Sequence, residues 1–208
     1  GSNDIKVGLT SVNIDDFLPF AFKDPHLEGQ VSGDVFITNP FGKASIDYDI
    51  KADKFKFEKD SIGTVTAKGR YSTSSGIVTF KAIGDNTDYK FDIDGSFNTK
   101  DTLANQANIL FKTEKFNLAL LNNYLDGIFS DIHGIANTND LKITGNSKNL
   151  SLTGTATIHD ASMVVKYTQC KYKFTNESII FNPNEIDFGM IDLKDTLNNS
   201  ATLSGKMY

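Results

Sequence analysis

The chain has 208 residues, with 26 acidic and 21 basic side chains and a formal net charge of −5 at pH 7. The two signs are spread evenly, so the composition excludes a concentrated phosphate-binding face and predicts no nucleic-acid partner. No run of about 18 apolar residues occurs, which excludes a membrane-spanning helix within the printed sequence. The lone cysteine, Cys170, cannot form an internal disulfide and fits no metal or redox pattern.

The chain is predicted to contain two β-rich units. Residues 1–2 (Gly-Ser) are interpreted as a cloning scar and are set aside, the first unit is expected over residues 3–115, and the second over residues 116–208. Within each unit apolar and polar residues alternate with a period of two between Gly, Asn, Asp and Ser turn clusters, which predicts half-buried strands. The predicted strands are, in chain order, Val31–Ile37, Ala44–Ile50, Phe55–Phe57, Thr64–Tyr71, Ile77–Ile83, Tyr89–Phe97, Ala107–Phe111, Leu141–Thr144, Leu150–Ile158, Ser162–Tyr167, Tyr172–Phe174, Ser178–Phe181, Glu185–Phe188, Met190–Leu193 and Ala201–Met207.

Two stretches break this alternation, Val12–Phe22 and Phe116–Phe129, because their apolar residues recur at helical spacing. Each is followed by a segment that reads as a strand with a central glycine, Gly29 in the first case and Gly134 in the second. These two glycines lie 105 positions apart. The order of elements therefore predicts a diverged internal repeat, in which a short helix or helical turn precedes a run of strands.

Glycines fall repeatedly on the apolar side of the predicted strands. In Val65–Tyr71 and Phe91–Phe97, for example, Gly69 and Gly95 share the parity of the apolar residues. A glycine inside a strand is costly, so a repeated one needs a reason. Two reasons remain open: close packing or sharp bending of the sheet, and a furrow along the apolar face that an apolar ligand occupies.

The sequence shows no arrangement of residues that predicts catalysis, a bound cofactor or a metal ion. His26, His133 and His159 are isolated from other residues at metal-ligand spacing. Asp47–Asp49 and Asp92–Asp94 each place two carboxylates on one strand face, which would suit half a calcium site, although carboxylates on the solvated face are the simpler interpretation. A β-helical glycan-degrading enzyme would need charged residues converging on one exposed face. We therefore expect a protein that is not an enzyme.

The last third of the chain carries an ordered series of short segments: Leu141–Asn146, Leu152–Ser162, Val164–Thr168, Tyr172–Phe174, Ile179–Phe181, Asn184–Phe188, Ile191–Asp195 and Asn199–Met207. This series resembles the C-terminal conserved region of the TamB family, the AsmA-like translocation and assembly module, in its Bacteroidetes form. An insertion within 195–201 (DTLNNSA) departs from the pattern, which has a tighter turn there.

This resemblance implies a mainly β fold: an elongated, curved β-sheet, or β-taco, forming an open β-helical half-pipe with one or two short helices. It implies a periplasmic location, with the full-length protein anchored in the inner membrane by a segment outside the printed sequence. It also implies a role in phospholipid transport between the inner and outer membranes, or in the assembly or secretion of outer-membrane proteins with a barrel partner. The family has no catalytic residues, so none are assigned.

The leading hypothesis is an apolar trough along which phospholipid acyl chains slide. The alternative is a non-catalytic scaffold whose sheet edges receive client strands. A trough filled by its own side chains would favour the scaffold, and an open one would favour lipid. The candidate lining residues are Phe91, Ile93, Phe97, Leu152, Ala156, Ile158, Phe181, Phe188 and Leu203.

Overall fold

A computed structural model describes residues 4–16, 26–100, 106–146 and 149–207. The prediction of a mainly β chain is confirmed: the described residues form a 13-stranded antiparallel sheet and two short 3₁₀ helices, Ile14–Asp16 and Leu118–Asn123. The cloning scar at residues 1–2 lies outside the described residues, and so does most of Val12–Phe22. The strands are β1 (Ile5–Asn13), β2 (Leu27–Thr38), β3 (Ser45–Phe57), β4 (Asp60–Ser72), β5 (Ile77–Asp85), β6 (Tyr89–Asn98), β7 (Ala107–Asn117), β8 (Phe129–Asn146), β9 (Asn149–Val165), β10 (Cys170–Phe174), β11 (Glu177–Asn182), β12 (Glu185–Asp195) and β13 (Ser200–Met207).

From β1 to β10 the strand order follows the chain, so each strand pairs with the next in antiparallel fashion. Strands β10 and β11 occupy the same position in the sheet, one after the other along β9. Phe174 pairs with Ala161 and Glu177 pairs with Ile158, so both strands lie against β9 in the same register. Strand β12 then pairs with both of them on the other side, and β13 pairs with β12.

The chain divides into two compact units, unit 1 (residues 1–110 and 144–150) and unit 2 (residues 111–143 and 151–208). In unit 1, Ile14 of the first 3₁₀ helix packs with Val31 and Ala52 in a small buried core. In unit 2, Leu118 of the second 3₁₀ helix packs with a buried cluster on β8 and β9. The predicted boundary between residues 115 and 116 stays a prediction.

The internal repeat has a local structural counterpart in each unit. Gly29 faces the backbone on both sides of Lys54, which has a φ of 53° and marks a register shift in β3. Gly134 faces the backbone on both sides of Asp160, which has a φ of 47° in β9. In both units, therefore, a glycine on the strand after the 3₁₀ helix sits opposite a bulge-like residue with positive φ.

These positive-φ residues also change which positions face the apolar side. In β3 the even-numbered residues Ile50 and Ala52 share a face, but after Lys54 the odd-numbered Phe55 packs with the same core. An extra residue in one strand moves all later side chains to the other parity. Uniform alternation in the sequence could not reveal this change.

The helix that helical spacing predicts over Phe116–Phe129 is shorter than expected, and it is a 3₁₀ helix, Leu118–Asn123. Its N-cap is Asn117, whose side chain accepts a hydrogen bond from the Ala119 backbone N–H. Residues 122–127 (NNYLDG) include two Asn, one Asp and one Gly, which are poor helix formers, and this is consistent with the early end of the helix.

Asn122 attaches this helix to β8. Its Oδ1 accepts from the Ile132 N–H at 2.9 Å, and its Nδ2 donates to the Ile132 carbonyl at 3.0 Å and to the Ala119 carbonyl at 2.9 Å. The side-chain amide thus pairs with the strand as a neighbouring peptide group would.

We expect Asn122→Ala to lower the free energy of unfolding by about 2 kcal/mol, because it leaves partly buried backbone groups of Ile132 without partners. Asn122→Asp keeps the acceptor for the Ile132 N–H, but when ionised it places an oxygen against the Ala119 and Ile132 carbonyl oxygens, so its loss should be at least as large. Urea denaturation measures both. Equal stability of the alanine variant and the parent protein would contradict the role given to this amide.

Candidate functional site

One side of the sheet in unit 1 presents aligned apolar residues and is called here the apolar face. Cross-strand pairing from β1 to β6 aligns its residues in four rows, because directly paired residues of antiparallel strands project to the same side. The rows are Ile5–Ile37–Ile46–Tyr71–Val78–Phe97, Val7–Val35–Tyr48–Gly69–Phe80–Gly95, Leu9–Gly33–Ile50–Ala67–Ala82–Ile93 and Val12–Val31–Ala52–Val65–Gly84–Phe91.

Burial along the apolar face is graded. Val31, Ala52 and Val65 of the fourth row are 3–8% exposed. Every residue of the other three rows is half-buried or exposed, and at the edge strand Ile5 is 43% exposed and Val7 39%. Among the described residues of unit 1, this side is therefore a contiguous apolar surface whose buried residues lie in the fourth row.

The glycines of this face do not leave an open furrow. A Cβ at Gly84 would lie 2.5 Å from the ring of Phe91, which is its cross-strand partner. A Cβ at Gly69 would overlap the Tyr48 hydroxyl, which donates a hydrogen bond to the Thr79 carbonyl at 3.3 Å. Aromatic rings thus fill the space opposite both glycines, which supports the close-packing explanation at these positions.

Burial also affects the tyrosines in unit 1. It raises the pKa of the Tyr48 hydroxyl. Burial, with the nearby Asp60 and Asp88 carboxylates, raises the pKa of Tyr89 to about 12. Both tyrosines are therefore neutral at physiological pH, as suits an apolar surface.

The other side of unit 1 is charged and solvated. Asp47 pairs with Arg70 at 2.6 Å and raises the pKa of that guanidinium by hydrogen bonding and charge. Asp49 pairs with Lys68 at 2.8 Å, one row along the same strands. Two of the four carboxylates that could have formed half a calcium site, Asp47 and Asp49, are thus in cross-strand ion pairs, each contributing little to stability because its charged groups are largely solvated.

Three candidate lining residues, Phe91, Ile93 and Phe97, lie on β6 and share the apolar face of unit 1. All three are half-buried. The structure therefore brings this part of the predicted lining together on one surface, and contact with a ligand stays a prediction.

The other six candidates lie in unit 2 and differ in burial. Ile158 is 8% exposed and belongs to the core cluster that Leu118, Leu121 and Leu125 cover, and Ala156 is 9% exposed. At this place the protein's own side chains fill the predicted trough. Phe181 and Phe188 are half-buried, Leu152 is 36% exposed, and Leu203 on β13 is 38% exposed.

Several prominent residues of the apolar face were not selected from the sequence. Ile46, Tyr48 and Ile50 lie in a predicted strand with regular alternation. That alternation was the available signal, but nothing in it showed that β3 is central in unit 1 and lies between β2 and β4.

The histidines contact polar side chains close to them. His133 contacts Asp131 at 2.7 Å, and His159 contacts Asn176 at 2.6 Å. Lys171 and His133 hold the pKa of Asp131 below its usual range. Within the described ranges, no three His, Cys, Asp or Glu side chains are grouped so that they could bind a metal ion. The expected absence of catalytic residues stays a prediction.

Fold and surface together define a class: an antiparallel β-meander with a partly open apolar face. Searches of protein-family models, curated proteins and solved structures give no match for this chain. In the part of the chain that the structure describes, no helix has the length and apolar character needed to span a membrane.

Proposed function

We propose that this chain is a periplasmic segment of a TamB-like protein whose apolar face binds phospholipid acyl chains during transfer between the inner and outer membranes. The observation that carries the proposal is the apolar face of unit 1, where three cross-strand rows contain no buried residue. The resemblance of residues 141–207 to the TamB family supports the same function. No catalytic step is involved.

The mechanism is passive burial of hydrocarbon. Shielding a methylene group from water is worth about 0.8 kcal/mol, so a chain of a dozen methylenes gains about 10 kcal/mol before entropy losses. The rows place Ile46, Ile50 and Ile93 among neighbouring apolar residues with no charged side chain between them. A smooth surface of this kind lets a chain slide, because no directional bond must be broken at each step. The head group remains in water beyond the face.

We expect the purified protein to bind a fluorescent fatty-acid probe and to carry phospholipid that native mass spectrometry detects. Ile93→Asn should weaken probe binding about tenfold, since it removes most of one isoleucine contact, about 1.5 kcal/mol, and places an amide on the face.

The matched control is Ile83→Asn. Ile83 lies on the adjacent strand β5, pairs with Asp92, and projects from the charged side at 42% exposure. Probe affinity of this variant should equal that of the parent protein. A folded parent that carries no lipid and ignores the probe would overturn the proposal, as would equal losses in the two variants.

A second candidate is the non-catalytic scaffold that assembles or secretes outer-membrane proteins with a barrel partner. The observation in its favour is β13, where every residue from Ala201 to Lys206 is exposed. Among the described strands, β13 has β12 as its neighbour and leaves its other edge available for an added strand. Photocrosslinking from Thr202 to a barrel protein, with no probe binding at the apolar face, would favour this candidate.

A further inference from the structure

Three turns of unit 2 lie side by side at one end of its strands. The Lys166 N–H donates to the Ile128 carbonyl at 3.0 Å, which joins the turn at residues 166–169 to the turn at residues 124–128. Tyr172 pairs with Asp195, which places the turn at residues 196–199 beside the start of β10. Chain reversals that are distant in sequence therefore form one local surface.

Each of these turns exposes a large apolar side chain. Tyr167 is 97% exposed, Leu197 81%, Ile128 54% and Tyr124 51%. We call these four residues the loop-tip cluster. Single exposed apolar residues are ordinary, but their concentration on adjacent turns marks an interaction surface. Tyrosine with aliphatic neighbours is typical of surfaces at a membrane–water interface, because the ring is apolar and its hydroxyl stays wet.

Three lysines near the loop-tip cluster form no ion pair with a described carboxylate. Lys173 and Lys194 are directly paired across β10 and β12, an arrangement of like charges that opposes pairing of the strands. Lys166 occupies the turn next to Tyr167 and is exposed. Among the described residues, these three lysines have no carboxylate at ion-pair distance.

Two of the acidic residues nearby are engaged. Asp131 pairs with Lys171 at 2.6 Å. Asp195 accepts hydrogen bonds from the backbone and side chain of Asn199, which lower its pKa and hold the turn together. Asp126 on the first turn and Asp192, two residues before Lys194, are exposed acids that remain, against three lysines. The balance of available charge beside the cluster is therefore positive.

We propose that the loop-tip cluster binds the surface of a phospholipid bilayer that carries anionic head groups. The apolar tips enter the interface between head groups and acyl chains, and Lys166, Lys173 and Lys194 attract the head groups. The turns are short and held by hydrogen bonds, so little conformational entropy is lost on binding. This inference does not depend on lipid binding by the apolar face.

The chain contains no tryptophan, so Tyr167→Trp provides a single fluorescent reporter. With vesicles of phosphatidylcholine and phosphatidylglycerol at about three to one, we expect its emission to shift to the blue and to be quenched by brominated lipid. Phe41→Trp is the control, because Phe41 is 88% exposed in a turn of unit 1 that lacks the cluster. An unshifted reporter at position 167, or equal responses at both positions, would overturn the proposal.

Vesicle sedimentation supplies the quantitative test. Replacing both Tyr167 and Leu197 with Ser should lower the partition coefficient at least tenfold, because two apolar anchors are lost. Replacing both Lys173 and Lys194 with Gln should lower it by about tenfold on the anionic vesicles and much less on pure phosphatidylcholine. Ile83→Asn, on the charged side of unit 1 and outside the cluster, should sediment as the parent does. Parent protein that binds neutral and anionic vesicles equally would overturn the role of the lysines.

Discussion

Ile158→Asn is expected to unfold unit 2 and not merely to weaken lipid binding. Ile158 is 8% exposed and packs with Leu118, Ile132 and Ala161 in the buried cluster of this unit. The substitution removes the packing of a buried isoleucine and buries an amide without an assigned partner. The combined loss should be about 4 kcal/mol, a large part of the stability of an ordinary domain.

Leu152→Asn is the matched control for this prediction. Leu152 lies on the same strand at an even-numbered position, but it is 36% exposed. The same kind of substitution should therefore cost less than about 1 kcal/mol. Urea denaturation followed by circular dichroism gives both values, and hydrogen exchange at Ile132 and Ala161 locates the effect. Similar stability losses in the two variants would contradict the assignment of Ile158 to a closed core.

This result bears on how the acyl-chain proposal can be tested. The sequence places Ile158 and Ile93 in the same category, because both lie on the apolar parity of a strand with a nearby glycine. The structure shows that their environments differ. Ile158 is covered by the 3₁₀ helix Leu118–Asn123, whereas Ile93 lies on the apolar face among residues that are not buried. A substitution that tests lipid binding must therefore be made on the apolar face, as at Ile93, where a polar side chain leaves the fold intact.

Alternation predicted the strands and most of the apolar face because its period is a direct consequence of strand geometry. It did not predict the positive-φ residues Lys54 and Asp160, because lysine gives no signal for that conformation and aspartate, although enriched there, adopts it only in a minority of cases. It also could not predict which strands become neighbours of a 3₁₀ helix. The burial of Ile158 depends on its contact with the distant 3₁₀ helix, and the local sequence pattern around Ile158 does not predict that contact.

The glycine pattern was informative in a different way. Parity alone left both close packing and an open furrow as possible explanations. The cross-strand register decides between them at Gly69 and Gly84, where Tyr48 and Phe91 lie directly opposite and fill the space. Register is set by turns and bulges over the whole unit, so it could not be obtained from single strands.

A series of glycine-to-alanine substitutions should separate backbone strain from steric overlap. Gly33 has a φ of 144°, and a Cβ there would overlap the Asp49 carbonyl and lie 2.8 Å from the Ile50 Cα. Alanine at this position would adopt a backbone conformation that is disfavoured for residues with a Cβ. It would also clash with the main chain of β3, which cannot shift without disturbing its own strand pairing. We expect Gly33→Ala to cost about 3 kcal/mol or more in the free energy of unfolding.

Gly205 and Gly8 complete the series. Gly205 has a nearly identical φ of 146°, but no atom lies within 4 Å of a Cβ placed there, so Gly205→Ala should cost only the strain, about 1–2 kcal/mol. Gly8 lacks a positive φ, and its nearest neighbouring atom is 4.0 Å away, so Gly8→Ala should be neutral or slightly stabilising. Denaturant midpoints of the three variants test this order. If Gly33→Ala and Gly205→Ala cost the same, close approach of β2 and β3 is not what requires the glycine, and the space beside Gly33 on the apolar face would then be open enough to admit a ligand.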